Sequence, residues 1–156
     1  MDAAKETVSL PERGRRRAAG LLAKALLTEL QDAWDALPEK PQVKPVRGPE
    51  TGLIMVRGRI GGGGAPFNLG EATVTRATVL LASGTAGHAQ ALGTSREKVR
   101  LAAAFDALWQ EDASRSWVEK TLLVPIEARI AAEDRRKAEE TAATRVDFFT
   151  MVRGED

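Results

Sequence analysis

Chemistry at neutral pH most often runs through histidine, and this chain has one, His88, set between Gly87 and Ala89. A catalytic imidazole needs a carboxylate to orient it, and none stands near His88 in sequence. Glu71, Asp106 and Asp147 could each serve as a base, but no recognisable spacing pairs them. Cysteine and tyrosine are absent. That excludes disulfides, thiolate zinc sites and a cysteine nucleophile. A single histidine excludes a two-histidine metal site, and a Ser-His-Asp triad would have to use His88. The expectation is no cofactor, no metal and no catalysis by this chain alone.

The other residues able to do chemistry are cations and glycines. Residues 51–93 carry Arg57, Arg59 and Arg76 against one acid, Glu71. Gly61, Gly62, Gly63 and Gly64 follow directly after Arg59 and Ile60. Backbone amides in such a loop can cradle an anion, so Arg57, Arg59, Arg76, Gly62 and Gly64 form a candidate anion site. A phosphate loop of the Walker type needs Gly-Lys-Ser/Thr opening a helix, whereas Ala65-Pro66-Phe67 follows here. A plain hairpin loop explains the same glycines. Gly58-Arg59-Ile60-Gly61 matches the GXXG letters of an RNA-binding KH loop, but it follows a strand rather than joining helices. Arg13, Arg15, Arg16 and Arg17 make a second basic cluster, read either as contact with an anionic partner or as a solvated helix start.

The elements that would position these residues read as follows. The chain has 156 residues and a net charge of +1, with 43% hydrophobic and 29% charged residues. One folded domain is expected, with no nucleic-acid-binding excess of charge. No apolar run is long enough to span a bilayer, and the first residues lack the apolar core of a secretory signal. A cytoplasmic protein without membrane contact fits best. Residues 1–15 read as a loose basic N-terminus. Leu22, Leu26, Leu30, Trp34 and Leu37 form one stripe of a helix over 16–37. Pro38, Pro41, Pro45 and Pro49 make 38–50 an extended linker.

Residues 51–123 form the α+β core. Ile54, Val56 and Ile60 alternate with Leu53, Met55, Arg57 and Arg59, which predicts a strand over 53–60. Residues 71–82 and 85–93 read as two more strands joined by tight turns. The order predicts a three-stranded antiparallel meander. Thr94 and Glu97 suggest a capping box opening a helix over 94–112 that covers the sheet. Residues 117–123 read as helix interrupted at Val124-Pro125.

In 124–156, Ile126 and Ile130 give the last helix only a short apolar stripe before a charged run. Then comes an apolar tail. Arg145, Val146, Asp147, Phe148, Phe149, Met151 and Arg153 have the make-up of an interface: aromatic anchors inside a charged rim. Docking of the tail on its own sheet is the competing reading. The fold class expected is thus α+β, a helix-covered meander with a polar C-terminal helix and an apolar interface tail. Truncation after Ala143 should impair assembly more than it unfolds the core.

Several segments in order resemble the PhnG family, a small subunit of the bacterial carbon–phosphorus lyase core complex. They are Glu50-Thr51-Gly52-Leu53, the glycine run, Phe67, Gly70-Glu71-Ala72-Thr73-x-Thr75-Arg76-Ala77, Leu92-Gly93, Asp106-Ala107-Leu108 and the ending 144–154. The similarity covers roughly residues 20–155. It implies phosphonate catabolism, in which a phosphonate displaces adenine from ATP to give a ribose 1-phosphonate 5-triphosphate. It also implies partnership with the H, I and J subunits, of which the I subunit carries the nucleosidase chemistry and the J subunit an iron–sulfur cluster. Without cysteine this chain cannot ligate that cluster. The resemblance therefore implies an accessory subunit of ribose 1-methylphosphonate 5-triphosphate synthase. The alternative is a nucleotide- or phosphonate-binding module using the basic sheet face and the glycine loop.

Overall fold

The computed structural model describes residues 10–144. The order is α1 (Leu10–Lys24), α2 (Leu27–Asp35), β1 (Val43–Arg59), β2 (Pro66–Leu81), β3 (Ala86–Leu92), α3 (Arg96–Gln110), α4 (Asp112–Val118) and α5 (Val124–Ala143). The sheet has three antiparallel strands in the order β1-β2-β3. The architecture is α+β with the expected meander. Among the described residues no helix is long and apolar enough to cross a membrane.

The core is built around α3. Val99 and every residue from Leu101 to Trp109 are buried, the signature of a helix covered on all sides. One side lies on the sheet, where Ala103 and Ala104 meet Ala77, Val79 and Ala91. The other sides meet α1, α2 and α4, in a buried cluster that holds Leu22, Leu30 and Val118 and extends to Ile126 of α5. Trp34 stands edge-on to Phe105, with ring centroids 6.0 Å apart. The alanines let α3 sit close to β3, and Gly87 is the point of closest approach. A Cβ there would lie 2.7 Å from the Ala107 nitrogen, 2.8 Å from its Cβ, and closer still to the Ala103 carbonyl oxygen.

Several boundaries differ from the sequence reading. The helix expected over 16–37 is two helices, and it opens at Leu10 with Pro11 in its first turn, where the missing N–H costs nothing. Residues 10–15 are therefore helix rather than loose chain. The break falls at Leu26, which is extended at φ −77° and ψ 151°. Glu29 accepts a 2.7 Å hydrogen bond from the Leu26 N–H, and Arg129 donates to the Lys24 carbonyl at 3.0 Å. The supposed linker 38–50 is strand from Val43 onward. Pro45 and Pro49 fit because β1 is an edge strand, and the register shifts between Pro45 and Arg47 and between Arg47 and Glu50. The cap of α3 is Ser95, whose hydroxyl accepts from the Lys98 N–H at 3.3 Å, not Thr94. Glu97 instead accepts from Gln31 across to α2. Pro125 does not interrupt the C-terminal helix. A π-helical turn at Glu119–Leu123 joins α4 to α5 just ahead of it, which accommodates the missing proline donor.

Arg129 clamps α5 to α2 through Glu29 at 2.6 and 3.1 Å. Burial alone would raise the Glu29 carboxyl, but hydrogen bonds from Arg129 and the Leu26 N–H outweigh it and hold the group below its ordinary 4.5. A carboxyl with a lowered folded value stabilises the fold above its unfolded value and loses that contribution as pH falls through the folded one. Glu29→Gln should therefore flatten the loss of stability between about pH 6 and about pH 3. Urea unfolding of both proteins at the two pH values checks this. Parallel pH profiles would show that the clamp is not coupled to acid unfolding.

Candidate partner interface

The meander is uneven in length. β3 pairs with β2 only from Val74 to Leu80, while β1 and β2 continue together to the Arg59–Pro66 pair. Residues 53–59 and 66–73 thus form a two-stranded arm roughly 20 Å long at about 3.3 Å per residue. Its base is tied down by buried Thr75. The Thr75 hydroxyl donates to the Gly93 carbonyl at 2.7 Å and lies 2.9 Å from the Thr51 hydroxyl. The Gly93 N–H closes the junction on Thr73 O at 2.9 Å. Here Gly93 has φ +97°, a conformation other residues rarely take.

The arm is apolar on both faces. Leu53 and Met55 point to one side, Ile54 and Val56 to the other, as strict alternation requires. Leu69 is left without a β1 partner where the register shifts between Val56 and Arg57. All of these side chains are exposed, as are Ile60 and Phe67. Ile60 reaches 71%, Leu69 67% and Leu53 64%. A strand with apolar residues on both faces is the pattern of a strand buried on both faces. A two-stranded ribbon alone is marginal in water. Nothing in the described residues covers this one, so its composition suits burial in another protein.

The tip explains the glycine run. Gly61 and Gly62 take φ of +60° and +78°. Gly64 donates to the Ile60 carbonyl at 2.9 Å, and a Cβ on Gly64 would lie 2.6 Å from that oxygen. Arg59 donates to the Gly64 carbonyl at 3.2 Å. These contacts make a tight turn and engage the Gly64 amide. On the strands behind it, Phe67 covers Gly58, where a Cβ would meet the ring at 3.2 Å.

The anion-site set is split by this geometry. Arg57 and Arg59 ride on the arm, opposite Asn68 and Pro66. Arg76 pairs across to Glu50, seven positions before Arg57 on β1, or roughly 20 Å away. Its Nε donates to Glu50 at 2.6 Å. Gly62 and Gly64 stay with Arg57 and Arg59. The residues expected to form an interface, Arg145, Val146, Asp147, Phe148, Phe149, Met151 and Arg153, lie outside the described residues.

Asp106, His88, Arg15 and Arg17 have structural work. Asp106 is buried and accepts from the Arg15 guanidinium at 2.8 and 3.3 Å and from the His88 backbone N–H at 2.9 Å. This ties α1, β3 and α3 together, and the hydrogen bond with Asp106 raises the Arg15 pKa. The His88 ring itself meets Thr78, Nδ1 to Oγ1 at 3.0 Å. Arg17 bridges Glu127 and Glu119, at 2.6 and 3.0 Å, and Glu119 also accepts from the Trp109 indole at 2.7 Å. Arg15 and Arg17 are thus internal clamps, a third outcome beside the two readings of the cluster. Glu71 lies on the arm, opposite Met55. Sequence reasoning missed the arm because alternation reveals apolar faces but not what covers them.

Residues 13–154 match the protein family described as "Phosphonate metabolism protein PhnG". The chain belongs to the PhnG family. A relative from Rhizobium meliloti (strain 1021) is named alpha-D-ribose 1-methylphosphonate 5-triphosphate synthase subunit PhnG. The two sequences are 65% identical over 156 residues, covering 100% of this chain and 99% of the relative. The match to PhnG takes in the whole arm and most of the segment after α5.

Proposed function

We propose that this chain is a non-catalytic subunit of a cytoplasmic phosphonate-processing complex, the ribose 1-methylphosphonate 5-triphosphate synthase of the carbon–phosphorus lyase pathway. It assists the displacement of adenine from ATP by a phosphonate, and its partners are the H, I and J subunits. ATP and the phosphonate meet at the level of the complex. The observation that carries the reading is the arm: Leu53, Ile54, Met55, Val56, Ile60, Phe67 and Leu69 are exposed on both faces of a ribbon too thin to bury them. The PhnG relative is itself named as a synthase subunit. The tail residues Arg145 to Arg153 are a second contact in this reading, on composition alone.

Replacing Leu53, Ile60 and Leu69 together by Asp tests it. Exposed positions change stability by about 0.5 kcal/mol or less, so the isolated chain should melt as before. Buried apolar anchors cost about 2 kcal/mol or more each at an interface. Recovery of co-expressed partner subunits on the tagged chain should therefore fall by at least about tenfold. Full recovery by a folded triple variant would remove the arm from the interface.

A further inference from the structure

On the solvent side of the sheet, β2 sets two rungs of polar side chains next to each other. One rung is Glu50–Arg76–Gln90, and the next is Arg47–Thr78–His88. Residues two apart on a strand share a face, so these groups form one patch. α1 walls it, with Ala19, Gly20 and Ala23 along the edge of a groove of about 480 Å³. Glu50 meets Arg76 at 2.6 Å and Arg47 at 3.5 Å, in both cases through Nε. A guanidinium carries further N–H donors on its terminal nitrogens, so one carboxylate fixes two forks without using them up. Arg16 lies one helical turn before Gly20 and adds charge on the same stripe of α1.

We infer that this groove binds a small molecule bearing a phosphate or phosphonate group. Two guanidiniums held side by side match the planar, bidentate recognition of a tetrahedral oxyanion. One carboxylate against two arginines leaves the patch cationic, which disfavours a metal ion. Gln90 adds a neutral amide donor, and the Thr78 contact fixes the orientation of the His88 ring. The α1 wall is free of bulk at Gly20, where an added Cβ would meet nothing within 4 Å. That leaves a flat, small-residue surface for the organic part of the ligand. This site is separate from the arm and does not rest on the proposed assembly. It also differs from an anion site at the glycine loop, because Arg57 and Arg59 take no part.

The test is a titration of the isotope-labelled full-length chain with methylphosphonate, inorganic phosphate, ATP and acetate, followed by amide NMR. Saturable shifts are expected at Arg76, His88 and Gln90 with one or more of the phosphorus ligands. The tightest of these identifies the ligand source as phosphonate, free phosphate or nucleotide. The double variant Arg47→Gln, Arg76→Gln should weaken binding at least about tenfold. Gly20→Leu should do the same by filling the groove, and a better helix former there preserves the fold. Leu69→Asp, on the arm, should bind ligand normally while losing partner subunits, so the two readings fail separately. The inference is overturned by no saturable shift below about 20 mM, by undiminished binding in Gly20→Leu, or by acetate binding as tightly as phosphate.

Discussion

Gly87→Ala should destabilise this protein by about 3 kcal/mol or more. The new Cβ would enter the backbone of α3, 2.7 Å from the Ala107 nitrogen and nearer still to the Ala103 carbonyl oxygen. Neither atom is the end of a flexible side chain that could swing away. Relief requires α3 to lift off β3, and α3 is the element that the sheet, α1, α2 and α4 all pack on. Overpacking a close-packed core costs about 1–3 kcal/mol when side chains can adjust, and more when backbone must move. Lifting α3 also opens the Asp106 bond to the His88 N–H. Urea unfolding of the variant measures the loss. A control at Gly48, where a Cβ meets nothing within 4 Å, should stay within about 0.5 kcal/mol of the parent. Gly87→Ala at near-parental stability would mean that α3 and β3 lie further apart than described.

What was legible in the sequence follows from the range over which each feature is set. The strand over 53–60 announced itself because alternation is local, and so did the two strands after it. The edge position that tolerates Pro45 and Pro49 depends on strand order, which no window of residues reveals, so a strand passed for a linker. The break between α1 and α2 is fixed by Glu29 and by Arg129, about a hundred residues further on. No Gly or Pro marks it. The helix over 94–112 was expected to cover the sheet, and its close contact is made by the small residues Ala103, Ala104 and Ala107. Small residues carry little weight in a hydrophobic stripe and much in a tight interface.

The segment that carried the family resemblance is explained in part by its contacts. In Gly70-Glu71-Ala72-Thr73-x-Thr75-Arg76-Ala77, Thr75 locks the arm to the end of β3, Arg76 reaches Glu50, and Ala77 lies buried against α3. The residues that looked chemical in isolation divide differently. Asp106, Arg15 and Arg17 hold helices together, whereas His88 and Arg76 stand on an open sheet face beside a groove. Pair identity across 91 positions, as between Arg15 and Asp106, leaves no periodic trace for a sequence reading to find.

That pair yields the second large effect, and its size depends on which partner is removed. Asp106 is 1% exposed and Arg15 39%. When Arg15 is lost, a carboxylate stays buried with the His88 N–H and a longer 3.4 Å contact to Gln110. Leaving a buried charge uncompensated is costly, so Arg15→Ala should destabilise by about 2–4 kcal/mol. When the charge on Asp106 is lost instead, the arginine turns to water, which its exposure allows. Asp106→Asn keeps an oxygen for the His88 N–H and should cost only about 1 kcal/mol. The double variant then decides the matter. With no charge left to strand, it should recover at least about 1 kcal/mol relative to Arg15→Ala alone, a coupling within the usual range for contacting residues. Urea unfolding of the three variants and the parent gives the cycle. Additive losses would show that Arg15 acts on α1 through packing of its stem, and that Asp106 does not depend on its charge partner.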